Sequence, residues 1–313
     1  MTKRVRIVTL IAVLLFAGVA FADTVLRMDW LFNGAAIYSP TLIRDPQNGL
    51  YKMWYGGWQD TNVNQGHDFI YYRDSADNYN WSGFVIVLEP WQVTSNAMHV
   101  NDPSVTKHFN TSNGQWQYTM FYTLCVSPCS QSQNEIWSST GADGIHWYNH
   151  QLLLSGPLGP AEPAAIIDPQ PDGTFWKVYY ADRGDDTKMK MASVNGNRTA
   201  TKVQVVFTSP GGQVISSPEV RNVNGVWDLW FNVHFANEVD IYKTTSNVNT
   251  SWPSSDEVLI QNSGPTYCAS LTPGVLPESN GQYDMYFGLT SRQSNGGCLF
   301  QFTPGIVKWL WQQ

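Results

Sequence analysis

Short apolar runs alternate with turn residues along the chain, in a unit of three strands that recurs five times. The first strand opens with a small or acidic residue, usually followed by Pro, and then turns apolar. The copies are Ser39-Pro40-Thr41-Leu42-Ile43, Asp102-Pro103-Ser104-Val105, Glu162-Pro163-Ala164-Ala165-Ile166 and Ser217-Pro218-Glu219-Val220, with a fifth, Cys268-Ala269-Ser270-Leu271, that lacks the Pro. The steps between them are 63, 60, 55 and about 52 residues, in the range of propeller blades. A turn containing Gly and an aromatic strand follow each copy, as in Gly49-Leu50-Tyr51-Lys52-Met53-Trp54-Tyr55 and Gly225-Val226-Trp227-Asp228-Leu229-Trp230. The third strands begin at Asp68, Glu135, Lys188, Glu238 and Cys298, the last running to Phe302.

Sheets of three or four strands cannot bury both faces alone, but packed radially they can, which predicts an all-β, five-bladed β-propeller forming one domain over residues 23–313. Two β-sandwiches are the alternative, and they leave the recurrence at the head of every first strand without a cause. Thr24 to Phe32 is expected to supply the outer strand of the last blade and close the ring. Asp45-Pro46-Gln47-Asn48-Gly49 and Asp168-Pro169-Gln170-Pro171-Asp172-Gly173 read as hairpin turns on their composition.

The N-terminus has a different pattern. Lys3, Arg4 and Arg6 precede an apolar stretch from Ile7 to Val19 and an Ala20-Phe21-Ala22 cleavage site, so residues 1–22 read as a signal peptide and the protein as secreted or periplasmic. Those residues carry three Lys/Arg and no Asp/Glu, so their removal takes the formal charge from −7 to −10. That balance argues against nucleic acid and an anionic membrane as partners. Four cysteines in an exported chain suggest two disulfides, and proximity in sequence favours Cys125 with Cys129 and Cys268 with Cys298.

In a propeller the first strands line the central channel, so the residues before Pro should face one another. That ring reads Ser39, Asp102, Glu162, Ser217, and Cys268 or Ala269, with Glu219 deeper on the same face. Asp102 and Glu162 are the candidate catalytic pair, since glycoside hydrolysis needs one carboxyl as acid and another to activate water or attack. The competing reading is that they accept backbone N–H groups and fix the blade entrance. Ser39, Ser217, Glu219, His99, Asp182 and His234 are candidate substrate contacts around the mouth. Asp182-Arg183-Gly184-Asp185-Asp186 reads as a solvated loop. No ligand spacing calls for a metal or cofactor, and none is expected. Of the 14 Trp, most are expected in the core and a few on loops, stacking on sugar rings.

The repeat, the Asp-Pro first strands and the Asp-Gly-x-x-Trp turn at Asp143-Gly144-Ile145-His146-Trp147 resemble the five-bladed propeller glycosidases: arabinanases, β-xylosidases and α-arabinofuranosidases, with invertases and levansucrases more distant. The resemblance covers nearly all of residues 23–313. It implies an Asp general base before the first-blade Pro, an orienting Asp before the third, and a Glu general acid in a Glu-x-Pro in the fourth. Those positions hold Ser39, Glu162 and Ser216, so only one keeps a carboxylate, and Asp102 lies in the second blade instead. The expectation is a monomeric propeller taking a carbohydrate at its channel mouth, with Asp102 as base and Glu162 as acid or second carboxylate. A non-catalytic glycan-binding or protein-binding propeller on the same scaffold is the alternative.

Overall fold

The computed structural model describes residues 24–33, 37–58, 67–111, 113–129, 133–254, 257–262, 267–278, 282–292, 298 and 305–312. The signal-peptide reading of residues 1–22 lies outside them. Strand β1 (Thr24–Asn33) comes first, and the chain then lays down blade one as β2 (Ile37–Arg44), β3 (Tyr51–Trp58), β4 (Asp68–Ser75) and β5 (Val85–Leu88). Blade two holds β6 (Ala97–Asn110), β7 (Gln115–Val126), β8 (Asn134–Gly141) and β9 (Tyr148–Leu154). Blade three holds β10 (Pro160–Ile167), β11 (Thr174–Asp182), β12 (Lys188–Asn195) and β13 (Ala200–Thr208). Blade four holds β14 (Val214–Val223), β15 (Val226–His234), β16 (Val239–Ser246) and β17 (Glu257–Ile260), and blade five β18 (Tyr267–Pro277), β19 (Gln282–Ser291) and β20 (Gly305–Gln312). Within each blade successive strands pair antiparallel. As expected, β1 pairs along β20 and completes the fifth sheet.

The aromatic second strands hold the ring together because side chains alternate between the two faces of a strand. Trp54 faces blade two among Tyr72, Val105, Tyr118 and Tyr122, while its neighbour Tyr55 faces blade five with Leu276 and Tyr286. In β15, Phe231 packs on blade three and Trp230 on blade five. Phe121 of β7 meets Trp176 of β11 at the remaining interface. Five hydrophobic clusters, one per blade interface, thus close the circle. Each sets buried aromatic side chains among aliphatic ones, and the burial of each large side chain stabilises on the order of 2–3 kcal/mol.

The two hairpin readings hold. Asp45 N–H donates to Leu50 O at 2.8 Å, and Asp168 N–H to Phe175 O at 2.9 Å. Their carboxylates also work: Asp45 accepts from Lys107 and Tyr118 and lies 3.1 Å from Lys52 Nζ, and Asp168 pairs with Lys177. Both expected disulfides form, Cys125–Cys129 and Cys268–Cys298.

Two expectations for blade five are corrected. Its ring residue is Thr272, followed by Pro273, rather than Cys268 or Ala269. Strand β18 starts at Tyr267, upstream of the Pro, so Cys268 and Ala269 lie along β19, where Ala269 faces Thr290, and Cys268 is tied to Cys298. The step from Ser217 to Thr272 is then 55 residues, equal to the step before it. The third strand is Gly305–Gln312; Cys298 makes only an isolated bridge with Arg292, and residues 299–302 lie outside the described ones.

Candidate functional site

Every innermost strand carries the same defect. The residue before Pro has a left-handed backbone in all five copies, with φ +50° at Ser39 and Asp102, +57° at Glu162, +52° at Ser217 and +53° at Thr272. At each of these points the inner strand carries one extra residue against its neighbour: Tyr38 to Thr41, Asn101 to Ser104, Ala161 to Ala164, Ser216 to Glu219 and Leu271 to Gly274. A side chain with a Cβ pays strain in this conformation, and a Pro at the next position has no N–H to miss from the ladder. The bulge turns the residue out of the sheet, so that all five line one cavity of about 30 Å³ at the axis, together with the five prolines and Glu219. A space of that size holds a water or two. Any ligand larger than that would have to sit above it, at the mouth.

Hydrogen bonds run around the ring from blade to blade. Ser39 Oγ donates to Asp102 Oδ1 at 2.5 Å, and Ser39 N–H to Thr272 Oγ1 at 2.7 Å. Thr272 N–H donates to Asn232 Oδ1 at 2.7 Å, Glu162 N–H to Thr123 Oγ1 at 2.8 Å, and Ser217 N–H to Glu162 Oε2 at 2.6 Å. In four copies, then, the strained N–H finds a side chain on the preceding blade. Glu162 also accepts from Ser217 Oγ at 3.2 Å and is ion-paired through Oε1 with Arg183.

The two ring carboxylates are therefore unlike. Glu162 has a guanidinium on one oxygen and an N–H on the other. Burial, and next the charge of Glu162, push Asp102 up to about 7, against the pull of Ser39 and Arg183. Arg183 belongs to the segment 182–186 read as a solvated loop, and that reading is corrected. Asp182 is buried and ion-paired with Lys190, while Arg183 reaches inward because Glu162 would otherwise be a buried charge without a counter-ion.

Of the candidate contacts, Ser39 and Ser217 belong to the ring and Glu219 lines the cavity below it, 2.6 Å from Arg221 and raised by burial to about 7. His234 ends β15 with Nε2 2.7 Å from Ser216 Oγ, and burial lowers its pKa. His99 heads the second blade's inner strand. Its Nδ1 accepts from Asp68 N–H at 3.3 Å, which leaves the ring proton on Nε2, and its ring meets Trp58 edge-on at 5.2 Å.

Sequence reasoning passed over Asp68. It opens β4, and its Oδ2 accepts from Tyr38 Oη at 2.6 Å and Asn101 Nδ2 at 3.1 Å, while Oδ1 is buried without a partner. Burial raises it to about 6. Burial and the charges of Asp68 and Asp102 together hold the Tyr38 phenol well above its ordinary value, so both acids act on one hydroxyl. The sequence offers only an acidic residue at or beside the start of the third strand in blades one, two and four, Asp68, Glu135 and Glu238, which does not by itself place Asp68 in the site. His67 and the half-exposed Trp91, 5.9 Å apart, extend this side of the mouth. Among the described residues no three His, Cys, Asp or Glu groups converge closely enough to hold a metal ion.

No protein-family model and no curated protein matches the chain. Solved structures do. An arabinanase of Bacillus subtilis is similar at 13% identity and a TM-score of 0.62, over 88% of this chain and 95% of its own. A GH43 endo-arabinanase of Bacillus licheniformis is similar at 15% identity and a TM-score of 0.59, over 86% and 99%. An α-L-arabinanase of Cellvibrio cellulosa complexed with arabinohexaose is similar at 11% identity and a TM-score of 0.63, over 88% and 91%. At such identities the likeness is one of fold: the chain is built as the five-bladed propellers of these glycoside hydrolases are.

Proposed function

We propose that the protein binds a carbohydrate at the channel mouth and hydrolyses a glycosidic bond there, with Asp102 as proton donor and Glu162 as the second carboxylate. The observation that carries this reading is the unequal pair: of the three carboxyls lining the cavity, the two in the ring differ, Arg183 being ion-paired with Glu162 and not with Asp102. Environments that push two carboxyls apart assign acid and base. Asp102 keeps a proton near neutrality and gives it to the leaving oxygen as the C–O bond breaks. Glu162, charge-balanced by Arg183, faces the anomeric carbon and takes the proton of the attacking water. These roles reverse those expected from sequence. His99, Asp68, Trp58 and Trp91 would form one wall of the sugar site and His234 the other. The two disulfides support an exported protein.

A second reading is binding without hydrolysis. It is favoured by Ser39 and Ser216 where the resemblance implies base and acid, and by the bonds on both oxygens of Glu162. Reducing-sugar release from arabinans, xylans, fructans and mannans separates the two. Hydrolysis predicts release by the wild type and a loss of about 10²-fold or more in Asp102→Asn and Glu162→Gln. Retention of a polysaccharide in affinity electrophoresis with no release from any of them would overturn hydrolysis and leave binding.

A further inference from the structure

We infer that the face of the propeller opposite the channel mouth carries a second binding site, between blades two and three, for a carboxylated sugar such as a uronic acid residue. A cavity of about 490 Å³ opens there, within the range of small-ligand sites. Its lining includes Asn110 at the far end of β6, eight residues beyond Asp102 and hence about 25 Å along the strand from it. The site is thus separate from the one proposed at the mouth, and neither depends on the other.

Three features of the lining point to the ligand. The first is an aromatic wall. His108 meets Phe175 at 5.0 Å and the buried Trp176 at 5.4 Å, both edge-on, so that His108 and Phe175, backed by Trp176, offer a surface suited to the C–H face of a sugar ring. The second is unspent hydrogen-bonding capacity. Thr119 is completely buried in β7, yet its Oγ1 has no partner, and neither has Nδ1 of His108. Buried polar atoms without a partner are rare and costly, and both residues line the opening, where a small shift of the side chains would bring these atoms to a ligand. Gln117, Asn149 and Thr140 add amides and a hydroxyl around them.

Charge is the third feature. Arg198 lines the cavity from the β12–β13 turn, held by its bonds to Asn149 O at 2.8 Å and Ser138 Oγ at 3.3 Å. No carboxylate ion-pairs with it among the described residues, and no Asp or Glu lines the cavity, although the chain carries 25 Asp and Glu against 18 Lys and Arg. Enclosure lowers the pKa of this guanidinium, the direction expected for a charge without its counter-ion. A sugar hydroxyl set on the aromatic wall with a carboxylate on Arg198 satisfies all three features at once.

The test is calorimetric titration of the full chain with galacturonate, glucuronate and neutral galactose. Unglycosylated protein is required, because Asn110 and Asn197 both head Asn-x-Ser/Thr triplets at the rim. The expected result is binding of the uronates but not of galactose, weakening as salt is raised. Affinity should fall about tenfold or more in Arg198→Gln and several-fold in Thr119→Val, which removes an unpartnered hydroxyl with little change of shape. Asp102→Asn should bind as the wild type does, which separates this site from the mouth. Equal binding of galactose, unchanged affinity in a folded Thr119→Val together with Arg198→Gln, or no heat at millimolar uronate would each overturn the proposal.

Discussion

Asp102 and Asp68 sit where burial resists their charge, and that has a consequence for stability that can be signed. An unfolded chain releases these protons near pH 4, whereas the folded one holds them to about 7 and about 6. Between those limits the folded state binds more protons than the unfolded state, so stability falls as pH rises from about 4 to about 7. Asn in either place removes the titration. Thermal denaturation of Asp102→Asn and Asp68→Asn from pH 5 to 8 should therefore show a flatter profile than wild type, with each variant more stable at pH 8 by on the order of 1–2 kcal/mol. A wild-type profile already flat over that window would show that the acids are not buried as described. Asp45 behaves oppositely. Burial would raise it, but bonds from Lys107, Tyr118, Gln47 and Lys52 hold it well below the usual range, so its contribution is lost only in strong acid. Asp102 and Glu162 were legible in the sequence because an acidic residue before Pro recurs with the blade period. Asp68, Tyr38, Asn101 and Arg183 were not, because they reach the site from other strands or through a bulge, and strand spacing alone does not place them.

At the level of elements, the bulges explain why the inner strands can approach one another so closely. Gly274 follows the Thr272-Pro273 bulge, and a Cβ there would lie 2.0 Å from the carbonyl oxygen of Pro40 in the next blade. Both partners are backbone, so neither can turn aside. Gly274→Ala should cost about 3 kcal/mol or more. Gly49 makes the comparison: its φ is +74° but nothing lies within 4 Å, so Gly49→Ala should cost only about 1 kcal/mol of backbone strain. Chemical denaturation of the two variants measures the difference, and a Gly274→Ala no worse than Gly49→Ala would mean that blades one and five do not touch as described. The same crowding marks where the repeat was readable. Four copies showed their Pro at the head of an apolar run. In the fifth the run Cys268–Leu271 precedes Thr272-Pro273 within the same strand and drew the register away from the true bulge. The third strand of that blade went the same way, since the run after Cys298 looked as apolar as the one that pairs.

For the molecule as a whole, the ring is closed by its first strand. β1 pairs with β20 from Thr24 against Gln312 to Asn33 against Gly305, so the two ends of the chain share one sheet. Without β1, β20 would become an open edge and blade five would have three strands. Leu31 also packs into the cluster between blades five and one, which holds Tyr55, Tyr71, Tyr286 and Ile306. Closure thus joins the most distant parts of the sequence, and its loss should be felt at the five–one interface before any other. A chain starting after Asn33 should melt about 10 °C or more below one starting at Asp23, consistent with a few kcal/mol at roughly 2–4 °C each. It should also self-associate through the exposed edge. Shortening alone could lower stability for other reasons, so the decisive arm is complementation. A synthetic peptide of residues 23–33 should restore the melting temperature in a concentration-dependent way, because binding to the folded state alone stabilises it by mass action. A peptide with the same composition in scrambled order should not. Equal melting of the long and short chains, or rescue by the scrambled peptide, would show that the propeller does not depend on this strand for its closure.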